Sequence, residues 1–340
     1  GGLMKLVDAP RGRDVLMELA LAATDTVDHP LHSALFHATR PFETSNVSYY
    51  TIDGGSSTPS PDWPDVTPGE VAALLDGTPL VEPTVDMLRN CVADAVDNAA
   101  YWQPPSGWDH LLATPEIRAA LTRVEEHLVA PWFDAPFDGD DQWELWWRDG
   151  HRDEAPAPPS SRVLRRWAEQ TRREEARRNL GGGEWWSTPP FGLPVTTTLL
   201  PDATPAGLHF MEDSFGWRQV RCRRVEVPDS PRVLEITGPQ DWAGLCRRFP
   251  LEVTNQKRYN WAQCTGREGR WVMPDYEGVA EHYDAVHLTV RGYLTTAGLA
   301  VPVDEGRASV LAGWAPEETY WFRDIAAGEE VRDWDGTIDT

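Results

Sequence analysis

The residue types that could do chemistry gather in the back half of the chain. Glu184-Trp185-Trp186-Ser187-Thr188-Pro189 comes first, with two indoles and two hydroxyls side by side. Gly207-Leu208-His209-Phe210-Met211-Glu212-Asp213 follows, placing an imidazole and two carboxylates within five positions. Trp217 opens the next apolar run, and Glu235 sits inside Val233-Leu234-Glu235-Ile236. A later block, Tyr283-Asp284-Ala285-Val286-His287, adds a phenol and a second imidazole. Carboxylates and imidazoles at such positions can move protons or stabilise developing positive charge. Indoles stack on planar or cationic rings, and hydroxyls fix their orientation. Each feature also has a plainer reading. His209, between Leu208 and Phe210, fits a hydrogen-bonded strand histidine. Ser187-Thr188 before Pro189-Pro190 fits a strand end, and Glu212-Asp213 a hairpin turn.

The elements that must hold these residues divide in two. Segments near 11–24, 84–100 and 114–129 carry apolar residues at helical spacing, as in Val85, Leu88, Val92 and Val96. Thr114-Pro115-Glu116 is a helix start, and the Pro/Gly/Ser-rich stretch 52–70 reads as a surface loop. Asp153 to Ser161 is a Pro/Ser/Ala linker. A charged helix follows over 162–178 and ends at Gly181-Gly182-Gly183. Beyond it lie strand-like runs at 193–199, 206–211, 218–227, 231–237, 285–291 and 309–314, interrupted by helices over 239–249 and 275–283. The expected fold class is α+β: a helical N-terminal region over 1–155 and a sheet-rich domain with a few helices over 156–340.

Over about residues 184–325 the order of these blocks resembles the ADP-ribosyltransferase-like superfamily, including its RES-type and small toxin members. Tyr283-Asp284-Ala285-Val286 and Gly313-Trp314-Ala315-Pro316 stand in that order, and Trp186-Ser187-Thr188 is similar to the aromatic-Ser-Thr element that lines the nicotinamide pocket in one branch. The pattern departs at Ala285, where glycine is usual, and lacks a Glu-x-Glu pair after the Ser-Thr element. The resemblance implies NAD as substrate, with ADP-ribosyl transfer or NAD hydrolysis as the reaction. On that reading His209 is the holder, and Glu212, Asp213 or Glu235 is the carboxylate facing an oxocarbenium-like centre. Trp186 or Trp217 stacks on the nicotinamide, Ser187 or Thr188 bonds its amide, and Tyr283 and His287 complete the ligand-binding set.

Composition narrows the alternatives. The 340 residues carry 31 Lys+Arg against 54 Asp+Glu, a net charge of −23, which disfavours nucleic acid as a partner. No apolar run approaches the roughly 20 residues of a spanning helix, and 17 Trp argue against a disordered chain. Lys5 and Lys257 are the lysines and the other 29 basic residues are arginine, the skew of a GC-rich, actinobacterial-type genome. Cys91, Cys222, Cys246 and Cys264 form no CxxC pair, and the nine histidines, densest at His29, His32 and His37, hold no HxH or i, i+4 pair, so no metal is expected. The stretch after Lys5 lacks the apolar core of a secretory signal, so the expected compartment is a reducing cytoplasm. No phosphate-binding glycine loop, HExxH or nucleophile elbow occurs. Two non-enzymatic readings stand beside the nucleotide one. Trp143, Trp146 and Trp147 in an acidic stretch could bind a planar or cationic ligand as a Trp-rich module. The charge also suits an acidic interaction or immunity-type protein with a basic protein partner.

Overall fold

A computed structural model describes residues 4–24, 26–43, 50–53, 56–59, 63–147, 157–177, 181–212 and 219–335. The front of the chain forms α1 (Pro10–Ala22), α2 (Pro30–Thr39), α3 (Pro68–Asp76), α4 (Val85–Asp97), α5 (Gly107–Leu112) and α6 (Pro115–His127). Their starts follow local chemistry. Proline opens α1, α2, α3 and α6, where a missing N–H costs nothing. The side chains of Thr67, Thr84 and Ser106 accept bonds from first-turn amides of α3, α4 and α5. α4 buries Leu88, Cys91, Val92, Ala95 and Val96, one stripe at helical spacing, and packs on α1. A short hairpin of β1 (Tyr50–Asp53) and β2 (Ser56–Pro59) occupies the stretch expected to be loop.

The rest of the chain forms β3 (Gln142–Trp147), α7 (Ser160–Glu175), β4 (Val195–Thr198), β5 (Gln219–Glu226), β6 (Val233–Ile236), α8 (Pro239–Arg248), β7 (Pro250–Glu252) and α9 (Thr254–Thr265). Then come β8 (Arg270–Pro274), α10 (Tyr276–Val279), β9 (Ala285–Leu288), α11 (Val290–Thr296), β10 (Val301–Pro302), β11 (Arg307–Ser309), β12 (Glu318–Trp321) and β13 (Ala326–Asp335). A seven-stranded sheet runs β13-β5-β3-β4-β12-β9-β6, and a four-stranded one β10-β11-β8-β7. Among the described residues of the larger sheet only β6 and β9 pair in parallel, with α8 on their crossover. The fold class is α+β. β3 precedes residue 155, yet it lies between β4 and β5 in the sheet, and one apolar core runs from Leu6 in front to Phe322 behind.

Several local expectations differ. Residues 206–211 are not a strand: Ala206–Leu208 is a single 3-10 turn, tied to β4 by the Gly207 N–H donating to Thr197 Oγ1 at 2.9 Å. The last expected strand, 309–314, ends as β11 at Ser309, because the Ser187 hydroxyl pins Val310 and Ala312 and Gly313 turns at φ +82°. The helix expected over 275–283 is only Tyr276–Val279. α9 went unpredicted because its buried face mixes polar Gln256, Lys257 and Asn260 with Trp261 and Cys264, which hides the apolar period.

One glycine fixes the sheet against α11. A Cβ at Gly292 would stand 2.2 Å from the Ile236 carbonyl oxygen, which belongs to β6. The nearest atoms, the Ile236 carbonyl oxygen and carbon, are backbone and cannot yield cheaply. Gly292→Ala should therefore lower stability by at least about 2 kcal/mol, through forced overpacking. A denaturant midpoint equal to that of the parent chain would refute this.

Candidate active site

The register of the large sheet decides which side chains can meet. Trp143 on β3 pairs with Thr197 on β4, and Thr197 with Glu318 on β12. Directly paired residues project to one face, and so do residues two along each strand. Leu145, Val195 and Tyr320 therefore share that face. All six border one cavity of about 340 Å³. That is at the small end of the roughly 300–1,000 Å³ usual for ligand sites. The far wall is the segment Phe210-Met211-Glu212, and Trp185 and Gly313 close the cavity.

Two carboxylates face this space. Glu212 Oε1 accepts the hydroxyls of Tyr101 at 2.7 Å and Tyr293 at 2.9 Å. Its Oε2 has no hydrogen-bond partner among the described residues. Burial raises the Glu212 pKa to about 7, with the two tyrosine hydroxyls and buried Arg11 partly offsetting it. Glu318 accepts the Ala315 N–H at 3.2 Å. Burial pushes it up to about 8, and the charge of Glu212 adds to that rise. Near neutral pH one carboxyl is thus partly ionised while the other keeps its proton. Environments that push two carboxyl pKa values apart assign base and acid.

The aromatic wall is held from behind. Lys257, itself buried, donates through Nζ to the carbonyls of Glu184 at 3.0 Å and Trp186 at 2.8 Å. Trp261 Nε1 donates to the Trp185 carbonyl at 2.7 Å. α9 therefore grips this segment by its backbone, and the Trp185 ring stacks on Tyr101 at 5.6 Å. Trp143 is buried, with the Arg332 guanidinium 4.8 Å from its ring.

No family model, curated protein or solved structure matches the chain. The site therefore rests on its own geometry. Among the described residues, no helix is long and apolar enough to cross a membrane. No group of three or more His, Cys, Asp or Glu among them is arranged to hold a metal ion.

Of the residues that the nucleotide reading assigned from the sequence, Glu212 is the one that borders the cavity among the described residues. Asp213 and Trp217 lie outside the described residues. His209 is not on the cavity: its Nε2 meets Thr204 Oγ1 at 2.9 Å, and burial beside Arg89 pulls its pKa down to about 4. Ser187 is fully buried as a backbone staple, its hydroxyl donating to the Val310 carbonyl and accepting the Ala312 N–H. Thr188 is buried beside Gly313. Trp186 packs edge-on to Trp185 and against Phe191, behind the wall rather than on it. The Tyr283 hydroxyl accepts from Arg248 at 2.8 Å, away from the cavity.

Glu235 and His287 fall on the opposite face. Both pair, through β9, with Thr319, whose side chain alternates against Glu318. There His287 bridges two carboxylates, Nδ1 to Glu235 Oε2 at 2.6 Å and Nε2 to Glu317 Oε2 at 3.0 Å. Adjacent Glu317 and Glu318 thus send one carboxylate to each side of the sheet. Sequence reasoning missed Glu318, Tyr101 and Tyr293 as site residues, whereas Trp143 and Trp185 stood among the indoles of the Trp-rich binding reading and border the cavity. For Glu318 a signal exists in the acid pair opening a strand. For the two tyrosines, 192 positions apart, there is none.

Proposed function

We propose that the cavity cleaves a glycosidic bond in a small ligand whose reacting end is neutral or cationic. The observation that carries this reading is the carboxyl pair, raised to about 7 and about 8, facing one aromatic-walled space. Ionised Glu212 stabilises the positive charge that grows on the sugar carbon as the bond to the leaving group breaks. It then takes the proton of the incoming water. Protonated Glu318 gives its proton to a leaving oxygen, or a hydrogen bond to a leaving group that departs neutral. Trp143, Trp185 and Tyr320 supply ring faces.

The nicotinamide–ribose bond belongs to this class, in keeping with the superfamily resemblance. Its cationic ring suits carboxylates and indoles. No basic side chain borders the cavity among the described residues, so the phosphates of NAD would lie outside it. Nicotinamide riboside, which has no phosphate, is therefore the sharper probe. The test incubates the chain with NAD, nicotinamide riboside and aryl O-glycosides and follows the free leaving group. Turnover of any of them supports the reading. Quenching of tryptophan fluorescence without release supports a non-enzymatic module at the same indoles. Neither response would sink both and favour an acidic surface for a basic protein partner.

A further inference from the structure

A second cavity, of about 220 Å³, lies where α1 begins. Pro10, Arg11 and Arg13 border it from α1, Asp109 and His110 from α5, and Thr265 from the end of α9. α1 is 13 residues long, and its N-cap, Ala9, has no side-chain oxygen to offer the first-turn amides. The start of a helix carries partial positive charge. Evolution usually places a capping hydroxyl or carboxylate there.

The two arginines of that turn differ. Arg11 is neutralised twice, by Asp14 at 3.0 Å and by Asp109. Arg13 is only 8% exposed, yet among the described residues no carboxylate lies within ion-pair distance of it. Its Nη1 donates to the Val7 carbonyl at 3.2 Å, and its Nε–H has no acceptor. Asp8, on the 3-10 turn ahead of α1, is taken by Arg118 at 2.8 Å. A buried guanidinium without a counter-charge is costly, and a chain with net charge −23 has no shortage of carboxylates to place there. Burial also drags the Arg13 pKa down to about 10, with Arg118 and Arg11 adding to the fall and Asp109 and Asp8 opposing it.

We propose that this cavity binds an oxyanion, specifically a phosphate group, between the Arg13 guanidinium and the uncapped first turn of α1. Arginine's planar fork and the helix start are each suited to a tetrahedral anion. The site does not depend on the glycosidic reading, since it lies outside the carboxylate cavity. It could receive free phosphate or the phosphoryl end of a larger ligand.

The test is calorimetric titration of the full chain with inorganic phosphate and, separately, with adenosine monophosphate, at ionic strength held constant with chloride. Saturable uptake is expected, with affinity weakened at least about tenfold in Arg13→Gln by loss of the charged fork. Arg13→Lys keeps the charge without the fork and should bind with intermediate affinity, which covers the case that Arg13→Gln fails to fold. Tighter uptake of the nucleotide would mark the phosphoryl group of a larger ligand, and tighter uptake of phosphate the free anion. No saturable heat by about 20 mM phosphate, a millimolar-affinity limit, would overturn the proposal. So would equal affinity in the parent chain and both variants.

Discussion

Glu212→Gln should cut cleavage of a responsive glycoside by a factor of about 10² to 10⁴, the usual range for a lost proton-transfer group. The amide oxygen can still accept the Tyr101 and Tyr293 hydroxyls that hold Oε1, so the side chain keeps its place and loses only its charge. Turnover in the parent chain should follow a bell in pH. The acid limb reflects Glu212, which must lose its proton near 7, and the alkaline limb Glu318, which must keep its proton up to about 8. Glu318→Gln should remove the alkaline limb, because the amide does not titrate. An unchanged rate in Glu212→Gln, or an alkaline limb that persists in Glu318→Gln, would refute the assignment of roles.

The same two groups make a stability prediction of opposite sign to ordinary surface carboxylates. Each has a folded pKa above its unfolded value of about 4.3. Below that pH both states hold the proton, and the groups contribute no pH dependence. Between about 4.3 and 8 the folded chain holds protons that the unfolded chain has released, so stability falls as pH rises. Glu318→Gln, neutral in both states, escapes that loss. It should raise the thermal midpoint relative to the parent chain at pH 9 and not at pH 4. This gives a readout even for a substrate outside the panel.

The α+β class and three of the six described front helices, α1, α4 and α6, were legible because local signals and burial agree there. Pro115 after Thr114 starts α6, and the Leu88, Val92, Val96 stripe of α4 is the stripe that packs. Legibility failed where tertiary contacts override local pattern. α9 buries Gln256, Lys257 and Asn260 because their polar groups hold the backbone of Thr171 and of residues 183–186, so its core face looks like a surface. The turn at Ala206–Leu208 looked like a strand because a hydroxyl on β4 binds its backbone, which no local propensity encodes. Glu212 was readable as a carboxylate near aromatics. Its partner Glu318 was readable only as one of an acid pair opening a strand, because what makes it an acid is burial across a strand register that the chain sets only on folding. The same register explains why Glu235 and His287, grouped with Glu212 in sequence order, stand on the other side of the sheet.

His287 should be the side chain whose loss damages the fold most. It is 1% exposed and its two ring nitrogens face two carboxylates, Glu235 and Glu317. Carboxylates accept, so both nitrogens must carry protons when both acids are ionised. Burial alone would lower the His287 pKa, but the two carboxylates reverse that and hold it at about 9. Replacing His287 by Leu strands the Glu317 carboxylate, 3% exposed, against an apolar group, while Glu235 keeps access to water. Breaking a buried pair in this way costs about 3–5 kcal/mol. The pH dependence gives the mechanism its own signature. A histidine with folded pKa above its unfolded value, about 6.5, contributes stability that is fully present below that value. That stability is lost as pH rises through about 9. His287→Gln should therefore be most destabilised at pH 6 and approach the parent chain at pH 10. Adding Glu317→Gln to that variant should recover part of the loss by removing one stranded charge. Glu317 also holds a left-handed backbone at φ +64°, a strain that its bond to His287 and the turn into β12 must offset. If His287→Gln is equally destabilised at pH 6 and pH 10, or Glu317→Gln deepens the loss, the bridge is not ionic and its role is packing alone.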